Sequence, residues 1–214
     1  MQLILQQLMP VPMRDSVLSV KSGIWRQTLS FSKGDQVFVE APSGTGKTTL
    51  IHMLYALRTD YEGELLWDKR EVKSIDAERL SELRAKHISV IFQDMRLFPE
   101  LTAWENLEIK RTLCNTVNAE QVGKWLHKLG IGHKKDALAS TLSYGEQQRI
   151  SIIRALLQPF DWLLMDEPFS HLDKENIKKS IALISEVVQE NKAGLILADL
   201  DENHYFNYTK TIML

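Results

Sequence analysis

The stretch Gln36-Val37-Phe38-Val39-Glu40-Ala41-Pro42-Ser43-Gly44-Thr45-Gly46-Lys47-Thr48-Thr49-Leu50 decides the fold. Its first five residues read as a short strand. The next run is poor in bulky side chains and holds two glycines. A helical pattern follows, with Leu50, Ile51, Leu54 and Leu57 at helical spacing. A strand, a glycine loop and a helix in that order aim successive backbone N–H groups at one point, with the helix dipole behind them. Binding a polyphosphate needs this arrangement. Gly44 and Gly46 permit the tight path, Lys47 would reach the terminal phosphates, and the Thr48 hydroxyl would hold Mg²⁺. Ala41 stands where such loops usually carry a glycine.

Outward from this loop, residues 3–5, 17–20 and 28–31 read as short strands, and Lys33-Gly34-Asp35 is a turn signal before the strand at 36–40. Beyond the loop helix come a strand at 64–67, a helix at 76–86 and a buried strand at 88–92. Residues 94–140 have helical pattern, few β runs and several capping or breaking residues, which predicts a helical subdomain inserted in the core. Then follow a helix at 144–157, a strand at 162–165 and a helix at about 174–189 with Ile177, Ile181, Ile184 and Val188 on one face. A strand at 195–198 and one near 211–214 close the chain. Alternating strands and helices predict an α/β fold with a parallel sheet covered on both faces.

Two further motifs carry chemistry. In Asp161-Trp-Leu-Leu-Met-Asp-Glu167 four apolar residues lead to two acids at the carboxyl end of a buried strand, the edge where α/β sheets bind ligands. Asp166 would hold Mg²⁺, and Glu167 would orient or deprotonate an attacking water. Leu142-Ser143-Tyr144-Gly145-Glu146 opens a helix, with Ser143 and Glu146 spaced as a capping box. A helix tip carrying a serine can also receive a phosphate.

The bulk properties set bounds. The chain has 214 residues, 44% hydrophobic and 25% charged, with a net charge of −2. That fits one domain with a real core and lacks the basic face of a nucleic-acid binder. One cysteine, Cys114, cannot form an internal disulfide. No run is long and apolar enough to span a bilayer, and Met1 to Met13 lacks a basic lead. These features predict a cytoplasmic protein without direct membrane insertion and without nucleic acid. The histidines form no ligand constellation with Cys114.

Taken together, the motifs resemble those of ABC-type ATPases, the nucleotide-binding subunits of ATP-binding cassette transporters. The likeness covers essentially the whole chain. Ala41 to Thr48 resembles Walker A. Gln93, in Val90-Ile-Phe-Gln-Asp-Met-Arg-Leu-Phe-Pro-Glu-Leu-Thr-Ala-Trp-Glu-Asn-Leu107, resembles the Q-loop. Leu142 to Glu146, with Gln147, Gln148, Arg149 and Arg154-Ala-Leu156 after it, resembles the signature helix. Asp166-Glu167 resembles Walker B and Ser170-His-Leu-Asp173 the D-loop.

The resemblance implies a single ABC ATPase domain over 1–214, with an N-terminal antiparallel β subdomain and the helical subdomain at 94–140. It implies ATP and Mg²⁺ as cofactors. Glu167, Lys47 and Gln93 would be catalytic, and Thr48, Gln93 and Asp166 would face the metal. Ala41, Pro42, Ser43, Gly44, Thr45, Gly46, Lys47, Thr48 and Thr49 would bind nucleotide, as would Ser143, Tyr144, Gly145 and Glu146. Two copies would pair head to tail, each ATP lying between the loop of one and Ser143/Gly145 of the other. An integral membrane permease would hold the pair at the inner face of the membrane, with Phe98, Leu101, Trp104 and Leu107 as candidate contacts. The length resembles the compact ATPases of lipoprotein-release, macrolide-export and cell-division complexes.

Besides Ala41, the chain departs from the pattern elsewhere. Tyr144 replaces a glycine, Glu146 stands for the more frequent Gln, Asp199 stands where a switch histidine is expected, and Met9 to Met13 offers no aromatic to stack on adenine, which leaves Trp25 as the nearest, with a role in the core or at a dimer surface as its alternative. An aspartate facing a γ-phosphate would repel it unless protonated, which predicts weak hydrolysis with binding intact. Rival readings are an ATP-sensing regulator that barely hydrolyses and an ATP-gated clamp of the chromosome-maintenance type. The interval from Lys47 to Ser143 holds no sustained heptads, against the clamp. A small-molecule P-loop kinase has no reason to carry a signature helix.

Overall fold

The computed structural model describes residues 1–14 and 22–214, so the strand expected at 17–20 lies outside the described residues. Two sheets organise the chain. The first is antiparallel in the order β2-β1-β4-β5, built from β1 (Leu3–Pro10), β2 (Thr28–Phe31), β4 (Tyr61–Trp67) and β5 (Arg70–Glu71). The second is parallel in the order β6-β7-β8-β3-β9, from β3 (Gln36–Glu40), β6 (Ile88–Ile91), β7 (Trp162–Asp166), β8 (Gly194–Asp199) and β9 (Lys210–Met213). Six helices of two turns or more are described: α1 (Lys47–Leu54), α2 (Ala77–His87), α3 (Ala103–Cys114), α4 (Ala119–Lys128), α5 (Tyr144–Leu156) and α6 (Lys174–Glu190). The predicted α/β class with an antiparallel N-terminal sheet is the fold observed.

Period-2 alternation explains why the parallel sheet is buried on both faces. In β7, Leu163 and Met165 enter one core while Trp162 and Leu164 enter the other; in β8, Leu195 and Leu197 part from Ile196 and Ala198 in the same way. The first core is roofed by α3, α4, α5 and α6, the second by α1 and the antiparallel sheet. Truncating a fully buried leucine such as Leu164 to alanine would cost roughly 2–5 kcal/mol.

Several expectations shift. The turn at 33–35 forms, with the Ser32 amide donating to Asp35 Oδ2 at 3.0 Å. It does not make a hairpin, because β2 pairs antiparallel with β1 (Leu3↔Phe31) whereas β3 crosses into the parallel sheet beside β8. Leu57 falls past the end of α1 and is exposed. In α6 the buried line is Ser180, Leu183, Ile184, Val187 and Val188, while Ile177 and Ile181 pack only at its margin. The helix packs against α4 and α5, and its burial stripe lies partly off the isoleucine ladder. Residues 94–140 fold as α3, α4 and short 3₁₀ turns, and their apolar residues Ala103, Leu107, Val122, Trp125 and Leu126 belong to the core that covers β7 and β8.

Candidate functional site

Parallel register brings the carboxyl ends of four strands to one edge. Glu40 lies opposite Asp199, and Asp166 opposite Ala198. The residues just beyond these ends therefore converge: the Ala41 amide donates to Asp199 O at 3.0 Å and the Glu167 amide to Ala198 O at 2.9 Å. β3 sits between β8 and β9; α1, which follows β3, covers one face of the sheet and α6, which precedes β8, the other, and such a reversal opens a crevice at the sheet edge.

The glycine loop spans this crevice. Gly44 and Gly46 have φ of 82° and 108°. Gly46 caps α1 in the left-handed region, and a Cβ there would meet the Met13 side chain at 3.0 Å and Trp25 at 3.2 Å. Trp25 is buried and its Nε1–H donates to Thr45 O at 3.4 Å. It thus supports the loop from beneath, the core role and not a surface for a base. The Thr45 hydroxyl donates to Pro42 O at 2.8 Å, while Pro42, Ser43 and Gly44 are exposed along the loop crest and Thr48 and Thr49 are half-buried at the start of α1.

Lys47 is buried. Its Nζ donates to Ala41 O at 2.8 Å and Pro42 O at 3.2 Å, and stands 3.3 Å from Glu167 Oε1. Gln93 Nε2 donates to the other Glu167 oxygen at 3.2 Å. Glu167 has φ of 45°, a left-handed backbone rare for a non-glycine residue and common at functional sites. Asp166 is buried and its Oδ1 has no hydrogen-bond partner. Burial pushes the Asp166 carboxyl above its ordinary value, with the Thr48 hydroxyl bonded to it and pulling the other way. Burial likewise raises Asp199, whose carboxylate feels Glu167 and Lys47; its Oδ1 accepts the Leu200 amide at 2.8 Å.

The Thr48 hydroxyl and the orphaned Asp166 oxygen lie together as hard-oxygen donors. That set suits Mg²⁺, which takes one or two protein ligands and fills its shell with phosphate and water.

Ser143 and Tyr144 form the N-terminal tip of α5. Ser143 Oγ accepts the Glu146 amide at 3.3 Å and Glu146 Oε2 accepts the Ser143 amide at 2.8 Å, the expected capping box. Ser143 and Tyr144 are exposed, Tyr144 at 67%. The Tyr144 ring leans on His171, with centroids 5.3 Å apart and the rings tilted by 35°. Gly145 is needed there, because a Cβ would lie 2.7 Å from His171 O.

Two contributors carried no assigned role in the sequence. Arg154, on α5, donates to Arg96 O at 2.6 Å and to Met95 O, clamping two consecutive left-handed residues just past Gln93. Burial lowers its guanidinium to about 10, still a cation at neutral pH. Gln148 is fully buried between Glu167 and His171. Both lie within the helix whose motif had been noted, but only tertiary packing shows what they touch. Among the permease-contact candidates Leu107 is core, Leu101 and Trp104 are half-buried, and Phe98 is 54% exposed.

Known proteins place this geometry in context. The model of the ABC transporter family matches residues 26–170. The Escherichia coli K12 protein named ABC transporter ATP-binding protein YbbA, itself uncharacterised, is 33% identical over 86% of this chain and 81% of its own length. The Brucella abortus macrolide export ATP-binding/permease protein MacB is 33% identical over 88% of this chain, which spans only 29% of that longer protein. Among solved structures, a dimeric post-hydrolysis state of the ATP-binding cassette MJ0796 with ADP and Pi superposes with a TM-score of 0.76 at 25% identity, over 93% of this chain and 88% of its own. Among the described residues no helix is long and apolar enough to cross a membrane.

Proposed function

This chain belongs to the ABC transporter family and is an ATP-binding, ATP-hydrolysing cassette of a transport complex, and we propose how its own residues divide that work. The observation that carries the proposal is the convergence of Lys47, Gln93, Asp166 and Glu167 on one sheet edge beneath the glycine loop.

The loop amides from Ser43 to Thr48, backed by α1, receive the phosphates. Lys47 reaches the β- and γ-phosphates and leaves Glu167 as it does so. Asp166, Thr48 and Gln93 would hold Mg²⁺, which would supply charge withdrawal at the phosphate oxygens. Glu167, released from Lys47, orients the attacking water and accepts its proton. Gln93, bonded to Glu167, keeps the base aimed at the crevice.

Pairing follows the same logic. Ser143 and Tyr144 are exposed at a helix N-terminus, and so suit the phosphates held by a second copy. The MJ0796 cassette forms dimers, which supports this reading. The membrane partner is a permease subunit that keeps the pair at the inner face of the membrane. A hollow of about 270 Å³ between β6 and α3, lined by Phe92, Phe98, Ile109, Leu113 and Arg154, suits a short amphipathic segment of that partner. Phe98, Ile109 and Leu113 are exposed apolar residues there. Residues 94–140 act as the helical subdomain that presents this hollow and α5.

The test is Glu167→Gln. With ATP it pairs to twice the monomer mass by light scattering, and its turnover is lost while nucleotide binding stays. A variant that stays monomeric at saturating ATP refutes the dimer reading. The regulator and clamp readings are not favoured, since the relatives found are transporter cassettes.

A further inference from the structure

We propose that Gln148 is a positioning residue that couples the exposed tip of α5 to the proton-accepting Glu167 of the same chain. The inference rests on the head-to-tail reading above, because it concerns what docking at that tip does.

Gln148 is completely buried and spends both ends of its amide on backbone. Its Nε2–H donates to Glu167 O at 3.3 Å and its Oε1 accepts the His171 amide at 3.0 Å. One side chain thus braces the two ends of the 167–171 turn. A polar group so enclosed has no water to turn to, so moving one partner pulls on the other.

The outer end of this connection is on the surface. Tyr144 and His171 stack in the open, and Gly145 lets α5 touch the His171 carbonyl directly. Anything that seats on Ser143 and Tyr144 therefore presses on the 170–173 turn. The inner end is the strained residue. Glu167 keeps its φ of 45° because its surroundings hold it there: its amide donates to Ala198 O, and its carbonyl accepts from Gln148 and from Ser170 Oγ at 3.2 Å. A shift of the His171 amide passes through Gln148 to the Glu167 carbonyl. Rotation of that backbone swings the carboxylate relative to Lys47 and Gln93. Docking of the α5 tip on a second copy's nucleotide is thus reported to the base of the docking copy, and the two ATP sites of the pair fire together.

Gln148→Met keeps length and bulk but removes both hydrogen bonds. Its ATPase kinetics, and ATP-driven pairing in the Glu167→Gln background, decide the matter. The expected result is a kcat about tenfold lower or more with KM for ATP within about twofold, a Hill coefficient near one, and pairing retained. Unchanged kcat and Hill coefficient with pairing retained overturn the coupling and leave the dimer reading standing. Absence of ATP-driven pairing in Glu167→Gln alone overturns both. Should Gln148→Met fold poorly, hydrogen exchange on the wild type answers the question. Slower exchange at the Glu167 and His171 amides on ATP-driven pairing supports the coupling, and unchanged exchange overturns it.

Discussion

Lys47 Nζ stands 3.3 Å from Glu167 Oε1, so the cation meant for phosphate and the carboxylate meant for water neutralise each other. Both are almost wholly buried, with side chains 6% and 11% exposed. Removing one partner of such a pair leaves the other as an uncompensated charge, at a cost of roughly 3–5 kcal/mol. The pair is therefore a resting state, opened when phosphate offers Lys47 a stronger partner.

Lys47→Met should weaken ATP binding by about two orders of magnitude or more, since the terminal phosphates lose a charge-assisted contact. It should also lower Tm. The double variant Lys47→Met/Glu167→Gln should recover part of that Tm, because no charge is then stranded. A fluorescent nucleotide titration and calorimetric melts check both; failure of the double variant to recover refutes the buried pair.

Asp199→Asn should stabilise the protein at neutral pH. Burial raises the Asp199 carboxyl above the ordinary 3.8, with Glu167 adding to the effect. For an acid whose folded pKa is raised, the folded state holds its proton more tightly. Stability is thus lost as pH climbs from 3.8 through the folded value. The advantage of Asp199→Asn should vanish as pH falls toward 3.8. In turnover assays Asp199→His should raise the basal rate, because a donor would replace a like charge facing the γ-phosphate. An unaltered or lower rate counts against charge at Asp199 as the brake.

Asp161 behaves in the opposite sense. Burial alone would raise it, but Lys33, His87 (2.7 Å) and the Met1 amino group (3.3 Å) hold its carboxyl below the usual value. This stabilisation is present above pH 3.8 and is lost as pH falls through the depressed folded value. Asp161→Asn should therefore melt at lower temperature than wild type at pH 7, with the gap closing below about pH 4. Paired melts from pH 3 to 7 would show it.

Gly46→Ala should abolish nucleotide binding while leaving the far core folded. Its φ of 108° strains any side chain, and the added methyl meets Met13 at 3.0 Å and Trp25 at 3.2 Å. The loop must lift, and its amides lose their common aim. Trp25 fluorescence should report the displacement; an unchanged spectrum and affinity would show that Trp25 does not brace the loop.

Local pattern made much of this legible in advance. The loop at 41–48, the capping box at Ser143 and Glu146, and the strand that ends in Asp166-Glu167 are each written in adjacent residues, because strand period, helix period and cap chemistry act over a few positions. β3 was readable to its last residue for the same reason. The α6 face is legible at Ile184 and Val188 but not at Ile177 and Ile181, since the helices it packs against set which turns are buried.

The linear order of residues by itself determined the phosphate loop, the class of fold and the family, for these rest on short-range spacing. Tertiary structure alone decided that β2 and β3 part into different sheets and that Trp25 lies under the loop. It alone decided that Lys47 is held by Glu167 and that Gln148 braces the 167–171 turn. Each of these contacts joins residues far apart along the chain, and which distant groups meet depends on packing the whole core at once rather than on any local preference.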